Sequence, residues 1–242
     1  MTSSTTPEPE TPSDPPTTPG RQPGMPMRSG SGVTYWFDPG ALCLELLTTG
    51  GPGPFARFET LRAPADLAAW AARSRLALPP GPPPALEIAD ADVADARRLR
   101  DALFRVAAEV AGDDEVTAIL PVAGDDLARV NAFAARPPLA SAAGPGGQRL
   151  WARPAGWSPR GPDAAAVGDG PALLATVARD AVDLLTGPYR GRIRACAGAR
   201  CHLLYVDTSR PGRRRWCAME HCGNRHKVAA LRARRVPPPD AG

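Results

Sequence analysis

Four of the five cysteines stand in two pairs of equal spacing. Four residues separate Cys196 from Cys201, four separate Cys217 from Cys222, and fifteen lie between the pairs. Thiolates are soft donors, and two short-spaced pairs across a loop of this length can bring four of them to one tetrahedral centre. All-sulfur ligation favours zinc or an iron–sulfur centre. One structural Zn2+ is the simpler reading, because the surrounding segment is too short to bury a sizeable core. Metal supplies that missing fold energy, roughly 10–16 kcal/mol in finger peptides. His202 and His221 adjoin ligand cysteines and are read as neighbours of the site rather than ligands. Cys43 lies far away in an apolar run and reads as a core thiol.

The segment that carries these cysteines is strongly basic. Arg190 to Arg235 holds thirteen Lys or Arg against Asp207 and Glu220, a net +11. The whole chain carries +4, so the remainder carries −7. Such an asymmetry points to an anionic partner for the C-terminal part. Arg213, Arg214 and Arg215 fall on an expected return strand, and Arg225, Lys227, Arg232, Arg234 and Arg235 on or near an expected helix. These are candidate phosphate contacts, which position a protein on nucleic acid without reading sequence. Asn224, Arg225 and His226 are candidates for reaching base edges.

The elements that must position these groups follow from the local pattern. Leu203–Asp207 reads as a strand, 208–212 as a turn and 213–216 as the return strand. The second cysteine pair then leads into a helix over 224–235. This is a treble-clef-like finger: knuckle, β-hairpin and helix closing on the metal, with Gly223 beside the last ligand.

Upstream, 43% of residues are apolar but only 5% aromatic, so the core must be built from Leu, Val and Ala. That favours helix packing, and the expected fold is mainly α with minor β. Residues 1–32, rich in Pro, Thr, Ser and Gly, are expected to be disordered, as is 237–242. Residues 33–186 are expected to form a mainly helical regulatory domain, and 187–236 the finger. Val33–Phe37 reads as a short strand and Ala41–Thr49 as a short helix. Helices are expected over 64–76, 91–111, 125–135 and 171–185, with prolines over 79–84 as a linker. The stretch 136–170 is loop-like, with a strand at 148–153 and Trp157 tucked into the core. Asp113, Asp114, Asp125 and Asp126 look like helix ends and caps.

Several function classes find no support. No apolar run is long enough for a membrane span, and the polar N-terminus lacks the apolar region of a secretory signal. A cytoplasmic, nucleoid-associated protein is expected. There is no nucleotide loop, no His-Glu-x-x-His and no nucleophile elbow, so no enzyme activity is expected.

The stretch Trp216-Cys217-Ala218-Met219-Glu220-His221-Cys222-Gly223-Asn224-Arg225, followed by His226-Lys227-Val228, resembles the CGNR zinc finger. The Cys196–Cys201 pair and the Asp207-Thr208-Ser209-Arg210 turn match it too. That finger usually follows a domain called ABATE, described as a stress-induced transcription regulator. Leu42–Thr49, Pro64–Trp70 and Leu99–Leu103 resemble segments of ABATE, and the two resemblances span about residues 33–236. In ABATE the early motif commonly ends in Asn-Thr; here Thr48 stands in place of the Asn.

The resemblance and the charge together imply a bacterial, zinc-dependent transcription regulator whose finger binds duplex DNA. Its N-terminal domain would sense a small-molecule effector or oligomerise, and its −7 charge could mask the finger. The alternative is a zinc-stabilised protein-interaction or RNA-binding module. Tyr205 and Trp216 are the finger's aromatics for stacking, thin provision for single strands.

Overall fold

The computed structural model of the chain describes residues 24–30, 32–78, 85–145, 147, 149–152, 156, 158 and 166–235. The fold is mainly α with minor β, as composition implies. Its centre is the longest helix, α3 (Asp90–Ala111), here numbered after α1 (Leu42–Leu46) and α2 (Pro64–Arg73). Val93, Ala96, Leu99, Leu103 and Val106 recur at three- and four-residue intervals on α3 and are all buried. The Asp92 carboxylate accepts the Ala89 N–H at 2.8 Å and so satisfies a donor left free at the helix start.

Around α3 pack α2, α4 (Asp114–Ile119), α5 (Asp126–Ala134) and α6 (Gly170–Thr186), while α1 lies on α6. On α6, Leu173, Leu174, Val177, Ala178 and Ala181 are fully buried. The alanines of α3 and α6 let these helices approach closely, which a core poor in aromatics needs. Each fully buried leucine stabilises the fold by about 1.5–3 kcal/mol.

Strands are short, and among the described residues they form four two-stranded sheets. β1 (Met25–Arg28) and β2 (Thr34–Phe37) make an antiparallel hairpin. β3 (Leu86–Glu87) and β6 (Gly168–Asp169) pair in parallel, and β4 (Ala140–Ala143) pairs antiparallel with β5 (Arg149–Ala152). β7 (Ile193–Ala195) and β8 (Leu204–Val206) belong to the cysteine-rich segment, and β7 lies against α3.

Several expectations are corrected. Structure begins before Val33: Met25–Arg28, inside the stretch 1–32 expected to be disordered, is a strand because it pairs residue for residue with β2. The helix from Pro64 ends at Arg73, where Ser74 takes an extended backbone. The reading of Asp113 as a helix end and cap holds: its carboxylate accepts the Val116 N–H at 3.2 Å and starts α4. The stretch 136–170 contains three short strands. The expectations for 1–23, 79–84, Trp157 and 237–242 fall outside the described residues. Thr48, in the place of the usual Asn, donates to the Glu45 carbonyl at 2.7 Å and to Met25 Sδ at 2.9 Å.

One buried ion pair fixes the loop after α1 to α3. Arg100, 1% exposed, donates to both Glu59 carboxylate oxygens at 2.9 Å and to Asp101 at 2.9 Å. Burial pushes the Glu59 carboxyl up, but hydrogen bonds from Arg100 and the Leu61 N–H outweigh it, and the group sits below its ordinary range. Removing one partner strands the other, so Arg100→Leu is expected to destabilise the chain by about 3–5 kcal/mol. Glu59 adds stability above its ordinary pKa of 4.5, and loses it as pH falls through its lowered folded value. In urea melts, the gap between wild type and Glu59→Gln should be full above that pH and close below it. A gap that widens in acid would contradict this assignment.

Candidate metal centre

The four cysteines of the two pairs meet. One sulfur from each of Cys196, Cys201, Cys217 and Cys222 lies within 4.8 Å of every other, and the histidines are not in the group. Cys201 Sγ and Cys217 Sγ are 3.9 Å apart. Zinc–sulfur bonds of about 2.3 Å imply tetrahedron edges near 3.8 Å, so the donor set fits a tetrahedral zinc ion. This chain binds one structural Zn2+ at these cysteines.

Local backbone explains how two short segments deliver four sulfurs. The first pair sits in the knuckle between β7 and β8. Cys196 N–H bonds to Leu203 O at 3.0 Å, and Cys201 N–H to Gly198 O at 2.9 Å, which turns the chain back on itself. A side chain at Gly198 would begin 2.8 Å from Cys222 Sγ, so glycine leaves room for the fourth ligand. Cys217 precedes and Cys222 lies within a π-helical turn, Met219–Gly223, closed by Gly223 N–H to Ala218 O at 3.1 Å. That wider turn hands the chain to α7 (Asn224–Arg235) directly after Cys222. Cys217 N–H also points at Cys196 Sγ at 3.2 Å, a donor that favours thiolate at that sulfur.

The hairpin differs from the expected one. Residues 213–216 do not return as a strand; β8 pairs with β7 on the other side of the knuckle. The reason is Asp207. Its carboxylate, 1% exposed, accepts the Ser209 N–H at 3.0 Å, the Ser209 hydroxyl at 2.5 Å and the Arg214 N–H at 2.9 Å. The Arg214 amide is thereby held in a turn rather than a ladder. Burial opposes the charge, but these hydrogen bonds keep the Asp207 carboxyl below its ordinary range.

Without a cation the sulfurs contend for charge. Cys201 and Cys217 donate to Cys196, which lowers Cys196 and raises the other two. Burial raises Cys222. A bound dication reverses this, since a coordinating thiol is deprotonated outright.

The expected cations divide into two kinds. Arg214 turns inward: it donates to the carbonyls of Trp216 at 3.1 Å, Cys217 at 2.6 Å and Asp38 at 3.0 Å, and lies 4.0 Å over the Tyr205 ring. It is therefore not exposed for phosphate contact as expected. Arg192 and Arg194 likewise serve backbone carbonyls. Arg213, Arg215, Asn224, Arg225, His226, Lys227, Arg232 and Arg234 are exposed, and α7 carries the last six. The Arg235 side chain lies outside the described residues. Among the described residues, no acid forms an ion pair with the exposed Arg and Lys of the finger. Between the finger and the helical region, His202 Nδ1 lies 3.1 Å from Asp113 and its Nε2 3.9 Å from Glu115.

Two groups near the metal went unrecognised in the sequence. Tyr35 and Phe37 of β2 share one buried cluster with Cys196, Cys217, Cys222 and Tyr205. Glu220, one of the two finger acids, accepts the Trp36 N–H at 2.7 Å. The alternation of Tyr35 and Phe37 marks one inward face of a strand, but sequence alone does not say which core it faces.

Comparison with known families agrees with this layout. Residues 40–188 match the ABATE model, described as "Putative stress-induced transcription regulator", and residues 192–235 match the CGNR zinc finger. Neither description is of an enzyme family. No curated protein matches the chain. Among the described residues, no helix is long and apolar enough to cross a membrane.

Elemental analysis of the purified chain should find one zinc per chain. Cys217→Ser combined with Cys222→Ser should abolish it and unfold the 190–224 segment while the α3–α6 packing persists. Full zinc retention in that double variant would refute the assigned ligand set.

Proposed function

This chain belongs to the ABATE family and carries a CGNR zinc finger, and from that premise we propose a zinc-dependent transcription regulator that binds duplex DNA through the finger. The observation that carries the reading is the set of exposed cations with no acidic partner among the described residues: Arg213, Arg215, Arg225, Lys227, Arg232 and Arg234. Zinc fixes the turn from which α7 departs, and so fixes where these charges stand. α7 packs mainly on that turn and leaves most of its surface to solvent. In this reading the cations lie along phosphates and release counterions, while Asn224, Arg225 and His226, in the first turn of α7, approach base edges. The helical ABATE region senses a small-molecule effector or oligomerises, and the protein acts on the nucleoid in the cytoplasm. Of the two finger acids, Asp207 is buried in its turn, and Glu220, though exposed, accepts the Trp36 N–H.

Six phosphate contacts imply a slope of log affinity on log salt of about −5. Titrating a random duplex at several salt concentrations should give that slope for the zinc-loaded chain. Lys227→Ala and Arg232→Ala should each make the slope shallower by about 1 without changing zinc content. A zinc-loaded chain that ignores duplex at low salt would sink the reading and leave the finger a protein-docking element. Stronger binding to single-stranded RNA than to duplex would move the proposal to RNA.

A further inference from the structure

The finger as matched begins at residue 192, yet its metal centre is walled by residues far upstream. The hairpin of β1 and β2 precedes both matched regions. On β2, Thr34 and Trp36 are exposed and Tyr35 and Phe37 are buried, so one face of the strand looks inward. That face lies on the cysteine cluster rather than on the helical core.

The contacts between the two segments are of several kinds. The Tyr35 ring stacks on His221, between the last two ligands, at 4.2 Å and 10°. Trp36 N–H donates to Glu220 at 2.7 Å. The Arg214 guanidinium reaches the Asp38 carbonyl at 3.0 Å and stands 5.8 Å from the Phe37 ring. Val206 N–H of β8 donates to the Pro39 carbonyl at 2.8 Å. Gly40, at φ +84, passes so close to β8 that a side chain there would begin 3.1 Å from Val206 Cβ. The hairpin's other strand is anchored elsewhere: Met25 is buried in the helical core and receives the Thr48 hydroxyl.

We propose that the zinc module is discontinuous, made of residues 34–40 together with 193–224, and that zinc binding and docking of this strand of the hairpin are one coupled event. Tyr35, Phe37 and Glu220 are positioning residues for the metal centre. Tyr35 and Phe37 pack on the cysteine cluster from upstream, and Glu220, within the ligand-bearing turn, holds the Trp36 N–H. Because Glu220 and His221 belong to the π-helical turn that launches α7, the hairpin also sets the direction of the basic helix. The proposal does not depend on what α7 binds.

Coupling makes two quantities move together. Zinc should order the hairpin, and the hairpin should tighten zinc. Amide hydrogen exchange on the full chain, zinc-loaded and after chelation, reads the first; competition with a chromogenic chelator reads the second. Expected is loss of protection in 34–37 on chelation while α3 stays protected. Tyr35→Ala and Phe37→Ala should weaken zinc about tenfold or more, the range seen when groups supporting metal ligands are removed. Tyr35→Phe keeps the stacked ring and should bind zinc as wild type does, and Thr34→Ala, on the exposed face, should do the same. Unchanged protection of 34–37 after chelation would overturn the proposal. So would zinc affinity within twofold of wild type in both alanine variants, or loss of protection throughout α3 as well, since the hairpin would then only report global unfolding.

Discussion

Four sulfurs within 4.8 Å of one another are an arrangement that protein alone does not favour. Ionising one thiol there raises its neighbours, and burial adds to the cost. A dication between them removes the conflict and turns it into attraction. The knuckle, the Asp207 turn, the π-helical turn and the start of α7 are all defined by the need to converge on that point. The segment has little apolar surface of its own, with Ile193, Leu204, Tyr205 and Val206 as its buried body. The remaining cover comes from Tyr35 and Phe37, drawn in from the other end of the sequence.

This arrangement also sorts the charges. A net +11 over 190–235 suggests a uniformly basic surface, but the arginines have different duties. Arg192, Arg194 and Arg214 saturate carbonyls that turns leave open, work suited to a planar guanidinium with five donors. Asp207 and Glu220 accept backbone N–H groups. The exposed arginines and lysine of the finger have no acidic partner among the described residues. Among the described residues, the helical region sets Asp113 against His202 and no acid against those cations.

Much of this was legible in the sequence. Cysteine spacing located the metal, since few other arrangements of two equal pairs make sense in a segment with so little core. The 3.6-residue stripe on α3 placed that helix within one residue of where it stands. α7 runs over the expected residues because Cys222 and Gly223 mark its start. The failures share a physical cause. Composition marked 1–32 as lacking structure, yet strand Met25–Arg28 forms because β2 supplies its partner, a tertiary reason invisible to local composition. The return strand over 213–216 looked sound by pattern, but the Asp207 carboxylate holds the Arg214 amide and β7 pairs with β8 instead. Arg214 was indistinguishable from its neighbours until its direction was known. The role of Tyr35 and Phe37 depends on contacts across more than 180 residues, which no window along the chain contains.

The account rests on one claim: zinc builds the surface that meets the anionic partner. The direct measurement is duplex binding by the full chain with one zinc, and again after chelation, each at two salt concentrations. The account predicts binding with zinc at low salt, weakening about a thousandfold between 50 and 200 mM, and loss of binding when zinc is removed. Equal duplex binding with and without zinc would contradict it, because the cations would then act without the scaffold that places them.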